Sequence, residues 1–404
     1  MGTARAVAPG FSPLDRELDL LPGSPWSNRA REFIVRMGTE VPFERGPGVL
    51  ALLTGLQVSA STVRAVTEAA GLALVAVETA EQERLMRTLP EAPVGAPVQQ
   101  VSVDGAMVPL VGGVWREVRT LAVGAITPTA DGERHTTALS YRSGLTEATS
   151  FAAAALGELH RRGTEHASVV AAVADGAGWC QQFFDEQVPG SIRILDFPHA
   201  VEHLSTVAQA VFGSGTAATS DWVGTQRHAL RTGDPDRVLA AIAALPAAAA
   251  SDPAAAARVR ERELAYFASR RSQIAYAAFG AAGLPIGSGA VESANKLVVE
   301  ARLKGAGMHW HPDHVDPLLA LRGALCSHRW DEAWGAITTQ FSTLATSRPT
   351  PPPPAIPPPP HADTPVPPSV PPRRQPTIVN GRPTNDHPWK RGLAQRAKAT
   401  TSRC

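Results

Sequence analysis

Cysteine is scarce in this sequence. Three occur in 404 residues, Cys180, Cys326 and Cys404, with no C-x-x-C pair among them. That excludes a disulfide framework and a cysteine-built zinc finger, and it suits a reducing compartment. An excess of one charge sign is also missing: 38 Lys and Arg against 37 Asp and Glu leave a net charge of +1. No global field then marks a polyanion partner, and any nucleic-acid surface must be local. There is no run of about 20 apolar residues to span a bilayer, and the opening MGTARAVAPGFSPLD holds no secretory apolar core. The expectation is a soluble, cytoplasmic chain without membrane contact. What is present is length, enough for two to three domains, with 44% hydrophobic and 19% charged residues.

The 36 prolines crowd near the C-terminus. Residues 346–376 hold TSRPTPPPPAIPPPPHADTPVPPSVPPRRQP, which reads as a polyproline-II or disordered linker. The tail over 377–404 carries Arg382, Lys390, Arg391, Arg396, Lys398 and Arg403 against the single acid Asp386. It serves either phosphate contact or solubility. At the other end, residues 1–95 read as helical. Apolar residues fall at helical spacing over 26–37 and 47–56. A third helix follows, with Ser59 or Ser61 as N-cap and Gly71 as stop. A turn at Gly55 before a capped helix is compatible with helix-turn-helix geometry, but the signal is weak and an ordinary helical hairpin is the favoured reading.

From Val98 the pattern changes. VQQVSVDGAMVP, WREVRTLAVGAITP and HTTALSYRSG alternate as strands do, with a turn at Asp131-Gly132 before the third. A helix over 146–162, a buried strand over 168–174, a helix around CQQFFDEQV and a strand in SIRILDF complete the series. Three strands followed by helix, strand, helix, strand is the order of a ribonuclease-H-like core. Residues 200–283 then read as three or four helices, broken at Gly213, Gly233-Asp234-Pro235 and Ser251-Asp252-Pro253. A helix from about 289 to 304 returns to the core. The predicted fold is α/β: a ribonuclease-H-like mixed sheet split between 96–199 and 284–345 by an all-helical insertion, behind a helical N-terminal region.

Three acids occupy telling positions. Asp104 lies midway along the first strand, Asp175 ends the fourth, and Glu292 opens the helix after the insertion. In this layout the first strand neighbours the fourth, so the aspartates meet, and the later helix brings its glutamate across. Three converging carboxylates need cations, and hard oxygen ligands favour Mg²⁺ or Mn²⁺. Two such ions activate a water or 3′-hydroxyl and stabilise the leaving oxygen of a phosphodiester. Against this, an isolated Asp-Gly pair is usually a turn, and a lone Glu292 is a solvated acid; the joint pattern is what argues for a site. Lys296, one helical turn from Glu292, either holds a phosphate or simply pairs with Glu292. Arg302 and Lys304 are further phosphate candidates, as are Arg227, His228 and Arg231 in the insertion. Trp310 is expected to pack, with His309, His311 and His314 exposed, and Trp179, Trp222 and Trp330 read as core residues. His199, Glu202 and His203 mimic a zinc motif that lacks a third ligand at the expected distance.

VSVDGAMVPL, VVAAVADGAGW, ILDFPHAVEHL and GSGAVESANKLVVEARLKGAGMHW together resemble the DDE-superfamily transposases of bacterial insertion sequences, in the broad Mutator-like group. The resemblance covers about 104–334, and NDHPWKR over 385–391 is similar to a terminal signature in some of these proteins. It implies Asp104, Asp175 and Glu292 as catalytic metal ligands for a pair of divalent ions, with Asp196 and His199 orienting them; Asp196 competes with Asp175 for the second position. It further implies DNA ends and target DNA as partners, a homo-oligomer on DNA, and work at the bacterial nucleoid. Such proteins often carry an N-terminal DNA-binding segment. Here about 95 cysteine-free residues precede the core, so end recognition falls to the helical region or the frame is shortened. Three functions compete: a transposase, a stand-alone nuclease distinguished by the lack of strand-transfer products, and a DNA-binding remnant, which the presence of all three acids disfavours.

Overall fold

The computed structural model describes residues 26–88, 90–128 and 134–347, with 378–379 and 382–383 beyond them. Three helices come first: α1 (Asn28–Glu40), α2 (Gly46–Thr54) and α3 (Ala60–Thr88). Ser27 caps α1 by accepting from the Ala30 N–H, and Gly55 ends α2 in the left-handed conformation that glycine adopts without strain. Ser59 is the cap of α3, accepting from the Thr62 N–H at 3.1 Å.

The expected stop at Gly71 is not there. α3 runs straight through it to Thr88, because the glycine serves packing rather than termination. A Cβ on Gly71 would sit 2.3 Å from the Pro317 carbonyl oxygen of a crossing helix, so only glycine permits that approach. α3 is also long and apolar enough to cross a membrane by length and composition, as no other described helix is. Its apolar residues include Val63, Ala70, Ala73 and Leu74, which are buried within the fold.

The sheet has five strands in the order β3-β2-β1-β4-β5. They are β1 (Val98–Pro109), β2 (Trp115–Pro128), β3 (Arg134–Gly144), β4 (Val169–Ala174) and β5 (Ile192–Leu195). The first three pair antiparallel, while β4 lies parallel to both β1 and β5, so the sheet is mixed. Two-residue alternation divides β1 between opposite layers. Val101 and Val103 pack with Phe151, Phe183 and Phe184 of α4 (Ala148–Arg161) and α5 (Gly178–Gln187). Ala106 and Val108 pack on the opposite layer with Val291, Val298 and Leu303. The turn expected at Asp131-Gly132 lies outside the described residues.

The insertion holds five helices: α6 (Phe197–Phe212), α7 (Ala217–Thr232), α8 (Pro235–Ala243), α9 (Pro253–Ser269) and the short α10 (Tyr276–Ala281). Its breaks fall at the expected residues, where Thr216, Asp234 and Asp252 cap the helices that follow. α10 is the helix beyond the expected three or four. α11 then spans 289–303 as Gly289–Ala294, a π-helical stretch Asn295–Glu300, and Ala301–Leu303. α12 (Val315–Cys326) and α13 (Trp330–Ser347) close the unit. Arg322 of α12 bonds Glu40 at 3.2 Å and Trp330 bonds Glu32 at 3.0 Å, joining these last helices to α1.

The chain forms two compact units, Met1–Pro349 and Thr350–Cys404. The second contains a two-residue pairing of Ile378–Val379 with Arg382–Pro383. Most of the proline-rich segment and basic tail, including 385–391, lies outside the described residues.

Candidate active site

Parallel pairing of β1 with β4 sets Ser102 opposite Val173. Two residues further along each chain come Asp104, still on β1, and Asp175, just past the end of β4. Asp104 is half-buried, and that desolvation raises its carboxyl above the usual range. The Gly105 N–H, 2.7 Å from Oδ1, acts in the opposite direction, while the like charge of Asp175 raises it further.

Asp175 stands in a turn held from two sides. Its Oδ1 accepts from the Ala177 N–H at 2.9 Å and from the Cys180 thiol at 3.6 Å. Burial pushes the Cys180 thiol far up, so it stays protonated and donates. From the insertion, the Tyr266 hydroxyl donates to the Asp175 carbonyl at 3.1 Å, and Arg270 donates to the Gly176 carbonyl at 3.0 Å. Arg270 also stacks on the Tyr266 ring at 4.0 Å. Gly176 is required here: its φ is +86°, and a Cβ would lie 2.6 Å from the Tyr266 hydroxyl.

The third side is α11, and the residue that reaches Asp104 from it is Asn295. Its Nδ2 donates to Asp104 Oδ2 at 2.8 Å, while its buried Oδ1 has no hydrogen-bond partner. Glu292, three residues earlier, is exposed and bonded instead to Lys296 Nζ at 2.6 Å. The simple ion pair expected of Lys296 is therefore present, and Glu292 does not converge with the two aspartates. Among the described residues no three His, Cys, Asp or Glu side chains form a metal-holding group. The carboxylates of Asp104 and Asp175 are oxygen donors of the kind a hard cation prefers.

Asp196 is fully engaged with backbone. It caps α6 through Oδ2, which accepts from the His199 N–H at 3.0 Å, and its Oδ1 accepts from the Ser288 N–H at 2.6 Å. It thus fixes the loop leading into α11, and both of its oxygens already have donors. His199 faces Glu202 at 3.4 Å. His203 bonds buried Glu263 at 2.5 Å and stacks on Tyr266, so the H-x-x-E-H segment is committed to packing α6 against α9.

Arg302 corrects the expectation of a phosphate contact beside Glu292. It is 1% exposed, donates through Nε and Nη2 to the Gly38 carbonyl at 3.1 Å, and lies against the rings of Phe43 and Trp310. The π-helical stretch alters the spacing along α11, and Arg302 falls on its inner side. Lys304 pairs with Glu300 at 2.6 Å. Arg227, His228 and Arg231 are exposed on α7, away from the aspartates' hydrogen-bond network. Trp310 packs as expected, donating to the Leu303 carbonyl at 3.0 Å, and Trp330 is buried against Trp334.

Sequence reasoning met Asn295 only as part of the Glu292 motif and gave it no role, and it passed over Tyr266, Arg270 and Cys180. Asn295 had a signal, its helical spacing from Glu292. The insertion residues had none, since their contacts span about 90 positions of chain. No family model matches the chain, and no curated protein matches it.

Proposed function

We propose that this chain is a DDE-type transposase with a ribonuclease-H-like core, cleaving and joining DNA at the ends of an insertion sequence. The observation that carries the reading is the placement of Asp104 on β1 and of Asp175 just past the end of the adjacent parallel β4, with α11 tied to Asp104 from beyond a helical insertion. The strand order β3-β2-β1-β4-β5 supports it, being the order such a core uses. Asp104 and Asp175 would hold Mg²⁺ or Mn²⁺, with Asn295 Oδ1 alongside and Glu292 joining once released by Lys296. When bound, a pair of such ions supplies charge neutralisation at the attacking and leaving oxygens of a phosphodiester.

The chain's own residues have separable tasks in this reading. Asn295 orients the Asp104 carboxylate, and the Ala177 N–H and Cys180 thiol orient that of Asp175. Asp196 holds the 287–288 loop that starts α11. Lys296 exchanges Glu292 for a DNA phosphate, which frees the third carboxylate. The partners are transposon-end and target DNA, handled by a homo-oligomer, and the setting is the bacterial cytoplasm at the nucleoid.

The test is nicking of end DNA by Asp104→Ala, Asp175→Ala and Glu292→Ala proteins in Mg²⁺ and Mn²⁺. Loss of cleavage with DNA binding kept supports the reading. Wild-type cleavage by the Asp175→Ala protein would overturn the assignment, and nicked DNA without joined products would make the enzyme a nuclease.

A further inference from the structure

A cavity of about 1020 Å³ lies apart from the aspartates, between the turn joining α1 to α2, the start of α3, and the 305–314 loop. Part of its wall is Arg302. This buried guanidinium has no carboxylate within ion-pair distance among the described residues; its hydrogen bonds go to one neutral carbonyl oxygen. Desolvation, reinforced by the nearby charge of Arg322 and partly opposed by that of Glu44, lowers its pKa to about 10, so it remains cationic at neutral pH. A buried charge ordinarily has a counter-charge.

The rest of the wall adds to the imbalance. Arg45 is exposed and makes no ion pair among the described residues. Arg64 bonds Glu68 at 2.8 Å, but Glu68 is shared with His314 at 3.1 Å. Glu44 is the only other carboxylate on the wall. Ala60 and Ser61 bring the N-terminus of the 29-residue α3 to the cavity, and that helix has no acid in its first turn. A helix N-terminus carries partial positive charge, so an anion there is favoured even though Ser59 already accepts from the Thr62 N–H. His309 and His311 lie along the same rim, exposed.

We infer that this cavity is a docking site for the phosphate backbone of DNA. The inference rests on DNA being the substrate and adds where the duplex is held. Its volume exceeds that of one phosphate ion, and its charges are spread over three chain segments, as a run of phosphodiesters requires. The site is also coupled to the catalytic strand. The 305–314 loop is stitched to the end of β1 by the Trp310 N–H to Pro109 carbonyl bond at 3.1 Å and the Val111 N–H to Trp310 carbonyl bond at 3.0 Å. Pro109 lies five residues beyond Asp104 on β1, about 17 Å at ~3.4 Å per residue, a span of roughly five nucleotides along one strand. A duplex seated here would have phosphates in the cavity several nucleotides from the reacting one.

The experiment uses the full chain and a labelled end duplex, with affinity measured by anisotropy across a salt series. Arg45→Gln/Arg64→Gln should bind roughly 10-fold or more weakly at moderate salt, with the log K against log salt slope reduced by about 2. Arg45→Lys/Arg64→Lys should restore most of the binding, and both double variants should melt with the wild type because these side chains are exposed. A second variant, His311→Glu, should weaken binding in the same direction. Inorganic phosphate at matched ionic strength should not displace the duplex; displacement would make this a free-phosphate site and overturn the docking role. If wild-type protein binds and nicks end DNA while the double Gln variant binds with unchanged affinity and slope, the docking site is wrong and the transposase reading stands. If wild-type protein binds no DNA, both fall together.

Discussion

The Asn295 amide donates to Asp104 Oδ2 across 2.8 Å, joining the central strand to a helix 191 residues later through the acid itself. The bond steadies a carboxylate that burial and Asp175 disfavour in its charged form. The amide's other atom, Oδ1, is left buried without a donor.

Asp104→Asn should therefore stabilise the metal-free protein. The folded carboxyl titrates above its unfolded value, so the native state binds more protons, and stability falls as pH rises from the ordinary carboxylate range through the raised value. Above that value the penalty is complete. An amide removes it, while one of its two terminal atoms still accepts from the Gly105 N–H or from Asn295 Nδ2. In chelator near pH 7.5 the variant should melt about 2 °C higher, with the gap closing toward pH 4. Mg²⁺ should raise the melting temperature of the wild type alone. An equal or lower melting temperature for the variant in chelator would show that Asp104 carries no such penalty.

Asp196→Ala removes an N-cap and leaves the Ser288 N–H without its acceptor. The expected cost is about 2–4 kcal/mol in denaturant unfolding. Asp175→Ala, whose side chain accepts only from the nearby Ala177 N–H and Cys180 thiol, should lose less. Equal losses would place Asp196 outside a tethering role.

Gly71→Ala is favourable by helix propensity and unfavourable by packing, since its Cβ would meet the Pro317 carbonyl at 2.3 Å. Overpacking should win, costing about 1–3 kcal/mol. A stabilised variant would mean that α3 and α12 separate easily.

Lys296→Ala removes an exposed ion pair and should leave the melting temperature unchanged within error. DNA cleavage should nevertheless fall, because Lys296 is assigned to the phosphate that frees Glu292. A lower melting temperature with normal cleavage would assign it to stability instead.

Much of the fold was legible because its signals are local. β1 alternates between two covered faces, and the insertion's breaks are capped by Thr216, Asp234 and Asp252. The adjacency of Asp104 and Asp175 followed from strand order. What escaped is non-local or depends on helical phase. Gly71 reads as a terminator until Pro317 is seen across from it. Arg302 reads as a surface cation because counting at 3.6 residues per turn does not register the π-helical Asn295–Glu300 stretch. Glu292 was placed by the order of elements and by the resemblance, which cannot choose between a site facing Asp104 and a pair with Lys296.

The bonds from Arg302 to Gly38, from Arg322 to Glu40 and from Trp330 to Glu32 have a consequence for how the chain may be divided. The compositional border near residue 95 marks a change of secondary structure rather than a seam. A chain trimmed to begin at 96 would uncover the apolar surface formed by Leu321, Ala324, Trp334 and Ile337. It would also leave two arginines without oxygen partners that the leading helices supply. Such a fragment should aggregate, whereas limited proteolysis of the whole protein should spare the junction between α3 and β1 from any cut that releases the first three helices.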